Sequence, residues 1–403
     1  MKICYICYFT SGKSFGIGKK VTSKILALNK EGISAQGLFV YDSELNYEEQ
    51  DNIHLQPIDG LNDLINIEPQ KGYELLYSQL ANHLKAKDYD LIVLRYPWAN
   101  QYLYNFLQSH KNVILEHNTK EEEELDMFLK NITVRDKLYL LRNGKLKTLR
   151  KAKFDKVEED KFKKKVLQAA LAGICVTDEI CDYETLLASG QYKTFTISNG
   201  IEVDKIKQKK PTPFDGSELR LIMVNSSPTK WHGVDRLLQG LKNNSKKHPI
   251  HLDIIGNIMP ELKKKIIRLG LEDQVTLHGF KTGEDLDVMF DHSHIGVGTL
   301  ALHRINLKQG AVLKVREYLA RGLPFFIGYE DVDLYKNDNL KPYYHQYPAN
   351  DSALDLDTLW EFAKSIYQIA HCEDKIRSLA FQTVDYSKKM NDLIMILTEL
   401  SKK

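Results

Sequence analysis

The chain has 403 residues, of which 43% are hydrophobic and 27% are charged, and its formal net charge is +2. This length is too great for one typical core, so we expect two domains of an ordinary soluble globular protein. The sequence shows neither a signal-peptide layout nor an apolar span of about 18 residues, which predicts a cytoplasmic protein without a transmembrane helix. Five scattered cysteines lack zinc-type spacing, so we predict buried free thiols in a reducing compartment.

Short apolar runs alternate with helical patterns along the chain, which indicates a parallel α/β architecture. The predicted strands are, in chain order, 2–9, 34–40, 91–95, 113–116, 173–176, 194–197, 220–225, 251–255, 274–277, 294–297 and 324–327. Residues 205–216 are polar with two prolines and are predicted to link the halves, and the chain beyond Asp355 is predicted to be helical. The pattern predicts two doubly wound domains facing a cleft, over 1–204 and 205–384, with a last helix at about 385–403 packing back on the first.

The loop after the first predicted strand contains two small motifs. Gly12-Lys13-Ser14 ends like a phosphate-binding P-loop, but Cys7 stands where that motif needs a glycine. Gly16 and Gly18, just before a helix, are better candidates for the close approach of a substrate, although turns also use glycines for conformation alone.

A charged segment follows in the first half of the chain. It begins with the acidic run 121–124 and becomes strongly basic over 145–165, with apolar residues interleaved. Such a segment is typical of a solvated helix face, and the alternative function is peripheral docking on an anionic membrane surface. Nucleic acid is not a predicted partner, because no recognition motif accompanies the charge.

Polar residues recur after the predicted strands. His117 follows one strand and is placed to contact a sugar hydroxyl, although its neighbours would equally cap the next helix. Lys230 and His232 follow another strand and are candidates to meet phosphate oxygens, unless this is a plain loop, and Gly256 ends the next strand. Three Asp-x-Asp triplets lack a persuasive position after a strand, so we predict no metal and no obligatory cofactor.

The most informative stretch is 303–324. Gly310 is predicted to open a helix whose free backbone N–H groups would face a phosphate. Glu317 lies seven residues later, on the same side of that helix, and its carboxylate can accept hydrogen bonds from both hydroxyls of a ribose. A phosphate at the helix tip and a ribose alongside it are the geometry of a bound nucleotide.

With these motifs, the whole chain resembles a family 4-type retaining glycosyltransferase of the GT-B fold, which has two doubly wound Rossmann-like domains facing a central cleft. Residues 231–236 and 313–318 resemble those of bacterial enzymes of capsular and exopolysaccharide assembly. Members of this family carry two glutamates eight positions apart. The second is Glu317, which the resemblance assigns to the ribose, and the first position, which touches the donor sugar, holds Gln309.

The resemblance also implies roles for residues in both halves. It assigns Gly16 to the loop near the donor phosphate, His117 to the donor sugar, and Asn199 with Gly200 to the turn that closes the first domain.

Two phosphate-binding cations of the family are absent at their usual places. The positions that these cations occupy in the family fall near Ser226 and on His232 in this chain. Lys230, Arg304 and Lys314 are therefore the candidates for the missing positive charge.

The implied activity is transfer of a sugar, with retention of configuration, from a nucleoside-diphosphate sugar to a saccharide or lipid-linked acceptor in cell-surface polysaccharide synthesis. The resemblance places such an enzyme in the cytoplasm, peripheral at the inner face of the membrane. The predicted catalytic residues are His117, Lys230, His232 and Gln309. Two alternatives are a non-catalytic nucleotide-sugar-binding partner subunit, motivated by Ser226 and Gln309, and a GT-B epimerase that acts on the nucleotide sugar itself.

Overall fold

The computed structural model describes residues 1–9, 15–43, 52–85, 87–130, 146–225, 229–244 and 247–402. The chain divides into two compact units: unit 1 is Met1–Ile197 with Met390–Lys403, and unit 2 is Ser198–Lys389. Residues 205–216, predicted to link the halves, lie inside unit 2 instead. The backbone N–H of Lys209 donates to the carbonyl oxygen of Arg321 at 2.9 Å, and Lys209 is buried. The polar composition of this segment therefore marks a packed surface strap and not a linker.

Unit 1 is a parallel α/β unit. Its elements are β1 (Lys2–Phe9), α1 (Phe15–Lys30), β2 (Ser34–Asp42), β3 (Ile53–Ile58), α2 (Leu61–Ile67), α3 (Pro69–Lys85), β4 (Leu91–Arg95), α4 (Gln101–Ser109), β5 (Val113–His117), α5 (Glu121–Lys130), α6 (Leu146–Ala169), β6 (Ala172–Cys175), α7 (Asp178–Leu187) and β7 (Thr194–Thr196). The strands pair in parallel in the order β3-β2-β1-β4-β5-β6-β7. Ile3, Ile6 and Leu115 are fully buried, as expected where helices cover both faces of a sheet.

Unit 2 repeats this plan with a second parallel sheet. Its elements are β8 (Leu219–Asn225), α8 (Val234–Asn244), β9 (Ile250–Gly256), α9 (Pro260–Leu269), β10 (Val275–Gly279), α10 (Gly283–Asp291), β11 (Ile295–Val297), β12 (Gln309–Gly310), α11 (Leu313–Arg321), β13 (Phe325–Ile327), β14 (Glu330–Asp331), β15 (Tyr344–Gln346), α12 (Leu356–Ile366) and α13 (Cys372–Thr383). The last helix, α14 (Tyr386–Leu400), begins in unit 2 and belongs to unit 1 from Met390 onward. The sheet order is β10-β9-β8-β11-β13-β15, and β12 pairs separately with β14. Short 3-10 helices cover Val203–Lys205, Lys230–His232, Leu302–Ile305 and Asp338–Tyr343.

Each sheet contains a point where strand addition reverses. In unit 2 the chain adds β9 and β10 on one side of β8 and then returns to add β11 on the other side. The loops that leave β8 and β11 then diverge, which opens a crevice at the carboxyl ends of these two strands. Ligands of doubly wound proteins bind at this position, so the crevice beside β8 is where the candidate site is built.

The predicted α/β class is confirmed, and each predicted strand is found within two residues of its expected bounds. Four strands were not predicted: β3, β12, β14 and β15. The predicted helical end of the chain is confirmed, and all five cysteines are buried free thiols, as expected. Across the described ranges, no helix combines the length and the apolar composition needed to cross a membrane.

Candidate functional site

The carboxyl ends of β8 and β9 lie against each other. Asn225 ends β8 and is the register partner of Gly256, which ends β9. Gly256 has φ 93°, and a Cβ atom at this position would overlap the carbonyl oxygen of Asn225. Only glycine permits both this backbone conformation and this close approach. The packing of the two strand ends therefore requires a glycine at position 256. The predicted contact of Gly256 with the nucleotide-sugar donor stays a prediction.

The segment Lys230–His232 is held over the end of β11. The carbonyl oxygen of Trp231 accepts from the N–H of Ala301 at 3.0 Å, and that of His232 accepts from the N–H of Leu300 at 3.2 Å. Lys230 is exposed and His232 is half-buried. This arrangement places both predicted phosphate ligands beside the reversal point of the sheet. Ser226, considered with them, lies outside the described residues.

Arg304 holds this segment in place. Its guanidinium donates to the Lys230 carbonyl oxygen at 2.8 Å, to both carboxylate oxygens of Asp235 at 2.8 Å, and to Asp351 at 2.7 Å. The guanidinium nitrogen Nη2, which also binds Asp235, lies 2.6 Å from the same Asp351 oxygen. Together these contacts engage all five N–H donors of the arginine. Arg304 is therefore a positioning residue for Lys230, a role that the sequence did not indicate.

Gly310 does not open a helix, contrary to the prediction. It pairs through β12 with β14, and α11 begins only at Leu313. Its Cβ would lie 2.8 Å from side-chain atoms of Leu302 and Tyr329, so close packing explains the glycine. The prediction failed because a two-residue strand leaves no periodic pattern. Gln309 lies on the same short strand, and its amide nitrogen donates to Glu330 at 2.8 Å.

Lys314 lies in the first turn of α11, beside the end of β8. Its Nζ donates to the side-chain oxygen of Asn225 at 2.6 Å, and within the described ranges no carboxylate pairs with it. Burial lowers the pKa of Lys314 to about 7, because nothing negative compensates the desolvated ammonium. A cation and the free N–H groups of a helix start at one strand end form an arrangement suited to an anion.

Glu317 lies one turn further along α11. Its Oε1 accepts a hydrogen bond from Arg321 at 2.9 Å, and Arg321 also binds Asp287 at 2.7 Å. Arg321 packs over the Phe290 ring, 4.1 Å from its centroid, so the arginine is rigidly held. Arg321 therefore orients the Glu317 carboxylate through Oε1. In the described structure, Oε2 of Glu317 has no hydrogen bond.

A buried ionic network fixes α11 from its other side. Arg316 is fully buried and binds both Asp331 and Asp333, and its Nε donates to the Asn199 carbonyl oxygen at 3.0 Å. The Asn199 side chain donates to the carbonyl oxygen of Ala311 at 2.7 Å. The predicted Asn199-Gly200 turn thus lies against the start of α11.

One of the three Asp-x-Asp triplets is accounted for by this network. Asp333 also accepts from Ser198 at 2.9 Å and from Lys389 at 2.6 Å. Sequence reasoning missed Arg316, although a charged residue on the apolar side of a short helix was an available signal.

The predicted residues of unit 1 lie at the carboxyl end of its own sheet. Gly16 and Gly18 are in the first turn of α1, and Gly12-Lys13-Ser14 lies outside the described residues. The same helix carries Lys24, whose buried ammonium pairs with Glu116 at the end of β5. Sequence reasoning missed this pair because its members lie on different elements.

His117 ends β5 and is enclosed by protein. Its side chain is 0% exposed, its Nε2 lies 3.1 Å from the Tyr192 hydroxyl, and its ring lies 4.6 Å from that of Tyr96. Burial lowers the pKa of His117 to about 4, so the ring is neutral at physiological pH. The contact with a donor sugar that the resemblance implies stays a prediction.

The basic segment forms helix α6 over its described part. Phe162 is buried in the core of unit 1, and Phe154 packs against the same core. The exposed side carries lysines, namely Lys153, Lys161, Lys164 and Lys165. The interleaved aromatic residues therefore build the core, and the lysines form the solvated face that the composition indicated.

Comparisons with known proteins agree with this architecture. Residues 204–328 match the family model of glycosyl transferases group 1. A glycosyltransferase from Rickettsia africae superimposes with a TM-score of 0.64 at 13% identity, covering 100% of this chain and 99% of that one. HepE from Anabaena, in complex with UDP-glucose, gives a TM-score of 0.60 at 14% identity over 99% and 100% of the two chains. WaaG, a glycosyltransferase involved in lipopolysaccharide biosynthesis, gives 0.60 at 14% identity over 97% and 98%.

A search of curated proteins finds no match to this sequence. The two parallel sheets and their reversal points define an α/β protein of the GT-B fold, as predicted. Through the matched segment in unit 2, the chain is similar to the glycosyl transferases group 1.

Proposed function

We propose that this protein is a retaining glycosyltransferase that moves a sugar from a nucleoside-diphosphate sugar to a saccharide or lipid-linked acceptor. One observation carries the proposal: Lys314 and Glu317 stand three residues apart on α11, beside the strand reversal of unit 2. Residues at this spacing share one side of a helix. An uncompensated cation suits the diphosphate, and an oriented carboxylate suits the ribose hydroxyls.

The likeness to HepE supports the class of donor. That protein was solved in complex with UDP-glucose, and it shares the architecture of this chain. We therefore use UDP-glucose as the first probe of the site.

The proposed mechanism relies on positioning and on stabilisation of the leaving group. The acceptor oxygen attacks the anomeric carbon as the bond from that carbon to the phosphate oxygen breaks, and the leaving phosphate takes the acceptor's proton. Lys314, the start of α11, Lys230 and His232 would stabilise the departing diphosphate, each such donor contributing about 3 kcal/mol to the transition state. Gln309 is proposed to orient the donor sugar.

A second candidate function is suggested by Gln309. This residue occupies the place of a family glutamate, and its amide is hydrogen-bonded to Glu330. A chain that binds the nucleotide sugar without turnover would act as a partner subunit. Release of nucleoside diphosphate separates the two functions, because only the enzyme produces it.

We further propose that the acceptor belongs to cell-surface polysaccharide synthesis at the inner face of the membrane. The likeness to WaaG and the exposed lysines of α6 support this assignment. Since Phe162 of α6 is buried and Phe154 packs against the core, membrane contact would rest on charge and would weaken as salt rises. Sedimentation with anionic and with neutral vesicles tests it, and equal binding to both would contradict it.

Substituting Glu317 by alanine is expected to weaken UDP-glucose binding about 100-fold, because two hydrogen bonds to a charged group are lost. Calorimetry measures the change. Asp287→Ala is the matched control, since it removes the other carboxylate of Arg321 and leaves Glu317 in place. A folded Glu317→Ala variant with unchanged affinity would refute the ribose role.

Binding of UDP-glucose is expected to weaken as the pH rises above 7. Lys314 has its pKa lowered to about 7, so it loses its proton in this range, whereas a phosphate diester keeps a constant charge. The anion favours the protonated amine, so the dissociation constant should rise by at most about tenfold per pH unit. A Lys314→Arg variant, which stays charged, should show a flat profile. An equally steep profile in that variant would assign the effect to another group.

A further inference from the structure

Three side chains from separate elements of unit 1 converge in its interior. His117 is the last residue of β5, Glu121 is the first of α5, and Glu184 lies in α7. His117 Nδ1 lies 3.8 Å from Glu121 Oε2 and 3.7 Å from Glu184 Oε1. His117 and Glu184 are 0% exposed, and Glu121 is 9% exposed. The three groups therefore face one another where water has little access.

The hydrogen bonds of His117 determine which ring nitrogen carries the proton. The Tyr192 hydroxyl donates to the carbonyl oxygen of Ala172 at 3.3 Å. The same hydroxyl therefore accepts at its contact with His117 Nε2, which is 3.1 Å long. With the proton on Nε2, the lone pair of Nδ1 points toward the carboxylates.

The cluster contains three buried acceptor atoms without a donor, although Glu184 Oε1, the oxygen nearest Nδ1, accepts from Lys163 at 3.1 Å. His117 Nδ1, Glu121 Oε2 and Glu184 Oε2 are buried and have no hydrogen-bond partner among the described residues. Buried acceptors without partners are rare and costly in folded proteins. A bound cation at their centre would satisfy all three.

The charges of the cluster point the same way. Lys163 lies 3.1 Å from Glu184 and 3.3 Å from Glu159, and it is the one cation that pairs with these acids in the described part of unit 1. When all three are ionised, as metal binding requires, Glu121, Glu159 and Glu184 together carry three negative charges against this one. The excess of two charges is the amount that a divalent cation neutralises.

We propose that His117 Nδ1 and one carboxylate oxygen from each of Glu121 and Glu184 bind a divalent transition-metal cation. Metal bonds of about 2.1 Å in tetrahedral geometry separate neighbouring ligand atoms by about 3.4 Å, so small side-chain shifts would close the observed gaps. One imidazole and two carboxylates suit Zn²⁺. Tyr192, holding the opposite ring nitrogen, is the outer partner that a metal-binding histidine requires.

The ion would join the end of β5, the start of α5 and the middle of α7. It lies outside the donor site of unit 2, so its role is to stabilise unit 1 and to orient His117. Sequence spacing could not reveal this site, because Glu184 lies on a different element, far along the chain from His117 and Glu121.

The test uses the whole chain, stripped with a chelator and then titrated with Zn²⁺ alone. We expect one tightly held Zn²⁺ per chain after desalting, and a midpoint of thermal unfolding that rises with Zn²⁺. Glu184→Gln and Glu121→Gln should each lower the affinity by at least about 100-fold and remove the thermal shift. Glu121→Gln, at the less enclosed position, serves if Glu184→Gln does not fold.

His278→Asn is the matched control. His278 pairs with Asp253 at 2.6 Å in unit 2, which makes it a partly exposed histidine–carboxylate pair that also attracts metal ions. This variant should keep the tightly bound Zn²⁺. The site would be refuted if His278→Asn removed it while Glu184→Gln kept it. Absence of stoichiometric Zn²⁺, both after addition to the native chain and after refolding in its presence, would equally overturn the proposal.

Discussion

Replacing Lys314 by methionine is expected to weaken UDP-glucose binding about 100-fold and, at the same pH, to make the protein more stable. The loss of affinity follows from removing the one group of α11 proposed to meet the diphosphate as a full charge. The gain of stability follows because burial lowers the pKa of Lys314 to about 7, so its environment disfavours the charged form. A methionine of similar shape removes that cost, which is about 1 kcal/mol for a half-buried group.

The pH dependence of stability adds a second readout. The pKa of Lys314 is lower in the folded protein than in the unfolded chain, so the unfolded chain binds more protons between pH 7 and about 10. The wild-type protein therefore loses stability relative to Lys314→Met as the pH falls through this range. Calorimetry and thermal unfolding measure both effects. Lys242→Met, which removes an exposed lysine of α8, is the control and should change neither. If Lys314→Met bound UDP-glucose with unchanged affinity and unfolded at a lower temperature than the wild type, Lys314 would have a structural role and not a binding one.

Replacing Arg316 by methionine is expected to lower the free energy of unfolding by about 3–5 kcal/mol. This substitution leaves the buried Asp331 and Asp333 without the guanidinium that binds both of them. It also removes the hydrogen bond to Asn199 that holds the turn against α11. The large effect arises because one partner of a buried ion pair is deleted while the opposite charge stays.

The Arg316→Met deficit is expected to depend on pH. Burial already raises the pKa of Asp331, and loss of the arginine charge that lowers it would raise the pKa further, so protonation would stabilise the folded variant more than the wild type. The deficit should therefore shrink as the pH falls toward 5. Arg316→Met with Asp331→Asn should recover part of the stability at neutral pH. Urea unfolding at both pH values measures these differences, and a loss below about 1 kcal/mol would contradict the role of the network.

The sheets were predictable because their strands are buried on both faces. Residues 91–95 and 113–116 are short apolar runs bounded by polar residues, and this pattern has few alternatives in an alternating α/β chain. The strand β3 was missed because it is an edge strand that contains Pro57 and polar residues. The pairing of β12 with β14 was missed because a strand of two residues is too short to show an alternating hydrophobic pattern.

Site residues could be predicted where their position in the sequence pattern was enough to place them. Glu317 could be named because it lies on a helix visible in the sequence pattern, and Lys314 because the family resemblance left a positive charge to be supplied. The positioning role of Arg304, and the pairing of Lys24 with Glu116, could not be named. Such partners lie tens of residues apart, and only the folded chain brings them together.

The measurement that most directly tests the central claim is release of nucleoside diphosphate from a panel of nucleotide sugars, with and without saccharide or lipid-linked acceptors. We expect slow hydrolysis of one donor that accelerates when an acceptor is present, and loss of this turnover in Lys314→Met and Glu317→Ala. Binding of a nucleotide sugar without release under any acceptor would contradict the transferase and favour the partner subunit. Absence of binding to the whole panel would remove the assignment of the α11 site.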